Sequence, residues 1–391
     1  MNRAIFTSLS PRAKWLLGMH TVFLTGISLS NIFFNVYLWK VYGNIKLAAA
    51  FNFFHFLTVP AVFFLGSILH SKLGSLGNLR VGLTVHTFFY LLVLILGQKV
   101  AAWYVLLGVL MGTGQGLYYL GYNVSTYDWT NNKNRNHFSG LNGAVSALAN
   151  LAPLAGGIII QFFGVASGYK FVFAVAVACF LVAGAISLQI EKDVPKKTAH
   201  FWAALKLVEN NWLRVSGSMV LRGLREGVMS FALILLIYEI TLSEINLGLY
   251  NLITSVLTML TFYMVGKSVP RHRRSSSMLW GAVFLSIMTL VLLRHDLIGL
   301  WLFGIANSII YPYIFVPSTT ISYNVIRNNP ETREYRIEFL SFREVPLNLG
   351  RLMGIALLLL CVRENFSVFW LLWGLGLSQI PLAIVLKPLK M

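Results

Sequence analysis

The chain has 391 residues, 57% of them hydrophobic and 11% charged, where an ordinary soluble domain carries about 25% charged residues. Its net charge of +18 invites a nucleic-acid reading, but long uncharged runs exclude a soluble binding module and mark an integral membrane protein. Cys179 and Cys361 both fall in apolar runs, so they read as small buried hydrophobes and offer no disulfide framework.

Taken in chain order, the apolar runs predict twelve spans, roughly 15–38, 47–69, 81–98, 101–122, 140–163, 169–190, 215–237, 246–265, 277–293, 297–319, 342–362 and 366–386. The first follows Arg3, Arg12 and Lys14. At roughly 24 residues it is too long for a signal-peptide core, and no small-residue cleavage site stands out, so it reads as an uncleaved span. With both termini inside, the N-terminus and the even-to-odd loops hold 21 of the 31 Lys and Arg, among them Lys192, Lys196, Lys197, Lys267, Arg271, Arg273 and Arg274. The opposite side holds six: Lys40, Lys46, Lys99, Lys170, Arg294 and Arg363. This asymmetry predicts a multi-pass protein of the cell membrane with cytoplasmic termini. The basic balance then reports topology and contact with anionic lipid, and no nucleic-acid partner is expected.

The long polar connection 191–214 divides the chain into an N-terminal bundle, 1–190, and a C-terminal bundle, 215–391. Within it Phe201, Trp202, Leu205, Val208 and Trp212 recur at helical spacing, which predicts a short amphipathic helix on the inner surface. The halves repeat each other. Trp15-Leu16 matches Trp212-Leu213, Gly26 matches Gly223, Tyr122-Asn123-Val124 matches Tyr323-Asn324-Val325, Asn150-Leu151 matches Asn348-Leu349, and Gly156 matches Gly354. Parallel six-span repeats are a transporter signature.

The seventh span breaks the apolar pattern with Arg222, Arg225 and Glu226. Arg225 lies roughly 15 Å in from Val215 at ~1.5 Å per residue, near the middle of a ~30 Å hydrocarbon core. Ionisable groups at that depth usually face a cavity or a partner. Adjacent residues on a helix point apart, so Glu226 is expected to reach back to Arg222 or across to Arg351 in span 11. In the repeat, Arg222 falls opposite Thr25, Arg225 opposite Ser28 and Arg351 opposite Pro153, so the charges are peculiar to the second half. No Asp or Glu precedes Asp128, so the first four spans hold no carboxylate.

Twelve spans, a long middle loop and the six-plus-six repeat resemble the major facilitator superfamily of secondary transporters across essentially the whole chain. Ala152-Pro153-Leu154-Ala155-Gly156-Gly157 looks like that superfamily's span 5 pattern associated with exporters, with Ala152 for the first glycine. Gly112-Thr113-Gly114-Gln115-Gly116 resembles its span 4 pattern but lacks the arginine linked to proton coupling. Ser71-Lys72-Leu73-Gly74 resembles its inner-gate motif without the acid. Lys72, Arg343 and Glu344 are therefore gate candidates. The phrase Ser30 to Lys40 resembles a bacillus-type branch of permeases. The resemblance implies an all-α fold, twelve transmembrane helices in two six-helix pseudo-symmetric bundles, with spans 1, 4, 7 and 10 lining a central cavity.

On that resemblance the substrate-binding candidates are Asn31, Asn35, Gln115, Tyr118, Tyr119, Arg222, Arg225, Glu226, Asn307, Tyr311 and Arg351, with Tyr122 and Tyr313 also on those spans. Each Asn and Tyr could equally be a helix–helix hydrogen bond. A guanidinium fork suits carboxylate or phosphate, so the expected cargo is an anionic or amphiphilic organic molecule, lipid-linked ones included. Glu226 is the candidate for proton coupling. A broad-specificity multidrug efflux permease is the alternative, favoured by 14% aromatic residues and the span 5 pattern. His20, His55 and His86 read as packed residues, and no pair has zinc-like spacing. No Walker loop, nucleophile elbow or metal motif appears. An enzyme, a cofactor or a metal site is therefore not expected, and the chain is expected to work as a monomer.

Overall fold

The computed structural model describes residues 9–130, 135–191, 200–328, 330–364 and 366–389. Arg3, the linker lysines Lys192, Lys196 and Lys197, and most of the linker's polar start lie outside them. Among the described residues the chain is helical, with no strand. Helix α1, Pro11–Tyr42, begins where Ser10 accepts a hydrogen bond from the Ala13 N–H and Pro11 fills the first turn. It ends at Gly43 with φ 79°, the left-handed conformation that glycine adopts without a Cβ clash.

Helix α2, Lys46–Leu96, is 51 residues long, roughly twice one bilayer crossing. Gly74, at φ 70° and ψ 178°, breaks it into two arms, so the predicted loop around Lys72 is a single-residue reversal. Helix α3 is Tyr104–Trp129, α4 is Arg135–Ala149 and α5 is Ala152–Leu188, itself broken at Gly164 (φ 75°, ψ 162°). The predicted fifth span is thus interrupted at Asn150-Leu151. Pro153 sits in the first turn of α5, where its missing N–H costs nothing.

In the second half, α6 is Phe201–Leu205 and α7 is Asn210–Thr241. Helix α8 is Glu244–Ser268, α9 Arg274–Thr289 and α10 Leu297–Ile310. Next come α11 Pro312–Asn328, α12 Pro330–Glu334, α13 Arg336–Arg363, α14 Val368–Leu377 and α15 Gln379–Leu386. The predicted tenth span is divided before Pro312 and the twelfth at Ser378. Among the described residues of the linker, helix covers Phe201–Leu205 and then the start of α7 from Asn210. Phe201 lies against Phe342 and Trp212 stands edge-on to Phe339, so those rings pack on α13 while Trp202 is exposed.

Among the described residues eight apolar helical stretches are long enough to cross a membrane. One of them, Lys46–Trp129, is 84 residues long and holds several predicted spans; α7 is not among the eight, because its charges interrupt every apolar window. Large apolar side chains such as Phe162, Ile95 and Leu188 are among the most exposed, as expected where the solvent is lipid. The protein is an integral membrane protein.

The described residues fall into two compact units. Unit 1 takes those of 1–43, 58–198 and 243–252, and unit 2 those of 44–57, 199–242 and 253–391. In unit 1, α1 packs along α5, with Leu29 and Phe33 seated on Gly156. In unit 2, α7 packs along α13 through a reciprocal pair of small-residue steps. Gly223 meets the Leu347 carbonyl, Gly227 meets Arg351, Gly350 meets the Val220 carbonyl and Gly354 the Leu224 carbonyl. The spacing Gly-x-x-x-Gly on both helices puts the glycines on one face of each and lets the backbones touch.

Candidate functional site

That close crossing places the side chains that flank the glycines. Glu226 precedes Gly227 on α7 and Arg351 follows Gly350 on α13. Arg351 Nη2 donates to Glu226 Oε2 at 3.2 Å, and Arg222 Nε donates to Glu226 Oε1 at 2.6 Å from one turn back. The Tyr311 hydroxyl, at the junction of α10 and α11, donates to Glu226 Oε1 as well. Both pairings expected for Glu226 are therefore present, and a phenol that the spacing did not pair with it joins them.

Each guanidinium also lies over an aromatic face. Arg222 is 4.0 Å from the Phe315 ring centre, Arg225 4.9 Å from Tyr311 and Arg351 4.9 Å from Phe56. Such stacking suits a desolvated cation. Arg222 Nη1 donates to Thr319 Oγ1 at 3.3 Å, Arg225 Nη2 to Asn307 Oδ1, and Arg351 Nη1 to Asn348 Oδ1 at 3.1 Å. Arg225 is only 3% exposed, yet its Nε, like that of Arg351, has no hydrogen-bond partner among the described residues. Phe56, Phe315 and Thr319 carry no mark in the sequence, and Asn348 stands out there only as the repeat match of Asn150. Only the rotation of their helices brings them here, and nothing local marks it.

Tyr118 and Tyr119 belong to unit 1. His20 Nδ1 and the Tyr118 hydroxyl are 2.8 Å apart, the His20 ring stacks on Tyr122 at 3.8 Å, and Phe23 stacks on Tyr118 at 3.5 Å. Tyr119 meets Phe23 and Tyr118 edge-on, and the Tyr122 hydroxyl donates to Asn142 Oδ1 at 2.9 Å. Asn35 is buried and its amide donates to the Asn31 carbonyl at 3.0 Å, within α1. Gln115 is half-buried on α3. His86 Nδ1 lies 2.9 Å from the Gly82 carbonyl, a packed histidine.

Among the gate candidates, Lys72 is exposed beside the Gly74 break. Arg343 and Glu344 approach to 3.8 Å, Arg343 lies 5.1 Å from the Tyr323 ring, and Glu344 Oε2 accepts from Asn348 Nδ2 at 3.4 Å. Asn348 thus links that pair to Arg351. A further buried ion pair sits within unit 1: Lys40 Nζ to Glu244 Oε1 at 2.7 Å, with the Tyr169 hydroxyl donating to the same oxygen at 3.1 Å. Its partners are 204 positions apart, so no sequence window contains both. Two surface grooves, about 480 Å³ beside Arg80 in unit 1 and about 470 Å³ beside Arg273 in unit 2, include no member of the arginine cluster.

No protein-family model matches the chain. It is 31% identical over 354 residues to the uncharacterised protein YqgE of Bacillus subtilis (strain 168), covering 89% of this chain and 82% of that protein. A shorter match, 35% over 149 residues, is to an uncharacterised protein encoded in the sodM 3' region of Geobacillus stearothermophilus, covering 38% of this chain and 70% of that one. In structure it resembles a bacterial homologue of the iron transporter ferroportin in an inward-facing state, with TM-score 0.72, 15% identity and 97% and 98% of the two chains covered. It also resembles a D-xylose–proton symporter, with TM-score 0.69, 11% identity and 95% and 96% covered. The chain belongs to the family of Bacillus subtilis YqgE and carries the fold of the major facilitator superfamily.

Proposed function

We propose that this protein is a secondary transporter of the cell membrane, an exporter that moves an anionic or amphiphilic organic substrate by alternating access. Its twelve crossings form two six-helix bundles, 1–190 and 215–391, joined by the cytoplasmic linker 191–214, and it works as a monomer with cytoplasmic termini. The observation that carries the reading is the cluster on α7 and α13: Arg222 and Arg351 both donate to the single carboxylate of Glu226, and Arg225, on the same helix, is bonded to Asn307 and stacked on Tyr311. Such an arrangement favours a negatively charged group. Phe56, Phe315 and Tyr311 supply apolar faces beside it. Asn31, Asn35, Gln115, Tyr118 and Tyr119 are the corresponding candidates of the first half.

A metal cation as cargo, which the likeness to a ferroportin homologue raises, is disfavoured by the positive cluster. Among the described residues no three of His, Cys, Asp and Glu come together. The stacked rings of Phe23, Tyr118, Tyr122 and His20 favour a second reading, a broad-specificity drug exporter. The two readings separate on Arg225. Arg225→Gln abolishes transport of an organic anion but only changes the spectrum of a drug pump.

Coupling rests on Glu226, the carboxylate that can exchange a proton within the cluster. The test is uptake into proteoliposomes of a panel of organic anions and amphiphilic drugs, with and without a pH gradient, for wild type and Glu226→Gln. Gradient-driven transport in wild type that is lost in the variant is the expected result. A variant driven as well as wild type removes Glu226 from the coupling step.

A further inference from the structure

We infer that the Arg222–Arg225–Arg351 cluster is built for a doubly charged anionic group, such as a phosphate monoester or a pair of carboxylates on one molecule. The inference rests on the anion-transport reading above and narrows it. Its first support is a charge count. A guanidinium stays protonated in a protein, so three arginines bring three positive charges, and Glu226 returns one negative charge. Tyr311, Asn307, Thr319 and Asn348 are neutral donors and acceptors. Arg343 and Glu344 offset each other at 3.8 Å.

The helices that pack on α7 supply nothing more. Helices α10, α11, α14 and α15 contain no Asp or Glu. On α13 the remaining acid near the interface, Glu338, accepts from the His200 backbone N–H at 2.8 Å and lies roughly 20 Å along the helix from Arg351. On α7 itself, Glu239 is as far from Glu226. Two positive charges therefore stand uncompensated on apolar helices, where an unpaired ion is costly.

The second support is the set of free donors. Arg225 and Arg351 each keep an unpartnered Nε, and Arg225 is nearly fully buried. Arg225 Nη2 is held by Asn307, Arg351 Nη1 by Asn348 and Arg351 Nη2 by Glu226. The Nε edge of a guanidinium is half of the fork that grips carboxylate or phosphate oxygens side by side. One such edge stands on each of the two helices. A group with one negative charge answers only one of them in charge.

The test uses the full-length protein, purified and reconstituted in nanodiscs of neutral lipid, and reads the rise in melting temperature with added ligand. Phenyl phosphate and phenyl sulfate are nearly the same shape, and at pH 8 they carry two charges and one. Phenyl phosphate is expected to reach half-effect at about tenfold lower concentration, as stronger charge-assisted bonding to two arginines implies. The preference disappears at pH 5, below the second ionisation of a phosphate monoester near pH 6, while phenyl sulfate at both pH values controls for changes in the protein. Phthalate against benzoate asks whether a double carboxylate serves as well as phosphate. Arg225→Gln should remove the preference, weakening phenyl phosphate by much more than phenyl sulfate. Arg225→Lys keeps the charge without the fork, stands in should the first variant not fold, and should retain a reduced preference. Equal binding of the two phenyl esters, lost together in Arg351→Gln, overturns the double charge and leaves the anion reading standing. Binding of neither, or binding indifferent to Arg225 and Arg351, defeats both.

Discussion

The α1–α5 pair of unit 1 and the α7–α13 pair of unit 2 carry matching residues at Gly26 and Gly223 and at Gly156 and Gly354, yet their crossings are filled differently. In unit 1 the crossing is filled by carbon. Leu29 and Phe33 seat on Gly156, and Thr25 turns its hydroxyl back onto the Thr21 carbonyl at 3.0 Å. In unit 2 the positions of Thr25, Leu29 and Pro153 hold Arg222, Glu226 and Arg351, and the backbones touch directly through four glycines. The lesson is that the close glycine crossing is what makes the charges affordable. It brings Arg351 to 3.2 Å from Glu226, so these two ions are desolvated against each other rather than against lipid.

The largest way to break the comparison is to give unit 2 the residue of unit 1. Glu226→Leu strands Arg222 and Arg351, and removing one partner of a buried ion pair costs about 3–5 kcal/mol. The side chains are 13–19% exposed, so the lower end is expected. Adding Arg351→Met should recover part of the loss, because a well-packed apolar replacement of an ion pair is often neutral. A denaturant titration of the single and double variants in detergent should give a coupling of about 1–3 kcal/mol. Losses that simply add would mean that the 3.2 Å contact contributes nothing.

A smaller effect compares the two equivalent glycines. A Cβ at Gly223 would overlap the Leu347 carbonyl, which is backbone and cannot give way. At Gly26 it would meet Cys179 Cβ and the Phe180 ring at 3.0 Å, side-chain atoms that can shift. Gly223→Ala should therefore cost about 1–3 kcal/mol and Gly26→Ala clearly less. Gly18→Ala, with open space around it, should be neutral or gain up to about 1 kcal/mol of helix propensity. Melting temperatures of the three variants in one detergent rank them. Equal losses at Gly26 and Gly223 would show that the backbone contact is not tighter in unit 2.

How much of this was legible in the sequence varies by residue. Charges inside an apolar run are visible by eye, and helical spacing alone linked Glu226 to Arg222. Arg351 is legible as a second charge inside an apolar run, roughly 15 Å in from Ser341 and so at the depth of Arg225. Thr319, Phe315 and Phe56 are invisible, and Asn348 shows only as a repeat match without its contact to Arg351, since a helix's rotation about its axis is set by packing that an evenly apolar composition does not encode. The breaks at Asn150-Leu151 and Ser378 were missed for a related reason, because hydrophobicity runs straight through them. The Gly74 turn was readable only as a loop. The Lys40–Glu244–Tyr169 contact joins three distant segments, and no local pattern announces it.

The smallest effect extends the contrast between neutral and charged solutions to helix caps. In unit 1, Ser10 caps α1 with a neutral hydroxyl, accepting from Ala13 N at 3.2 Å. In unit 2, Asp296 caps α10, accepting from Gly299 N at 2.7 Å while its other oxygen takes the Arg294 guanidinium at 2.8 Å. The hydrogen bond from Arg294, and after it the one from Gly299, holds the Asp296 carboxyl below the usual range. A depressed carboxyl stabilises the folded state above its unfolded value near 3.9 and loses that contribution as pH falls through the folded value. Ser10→Ala should thus cost about 1 kcal/mol at every pH. Asp296→Ala should cost more at pH 7 than at pH 3, where part of the charge contribution is already lost. Melting curves at the two pH values decide it, and an Asp296→Ala loss that does not shrink toward pH 3 would mean that the cap acts through shape rather than charge.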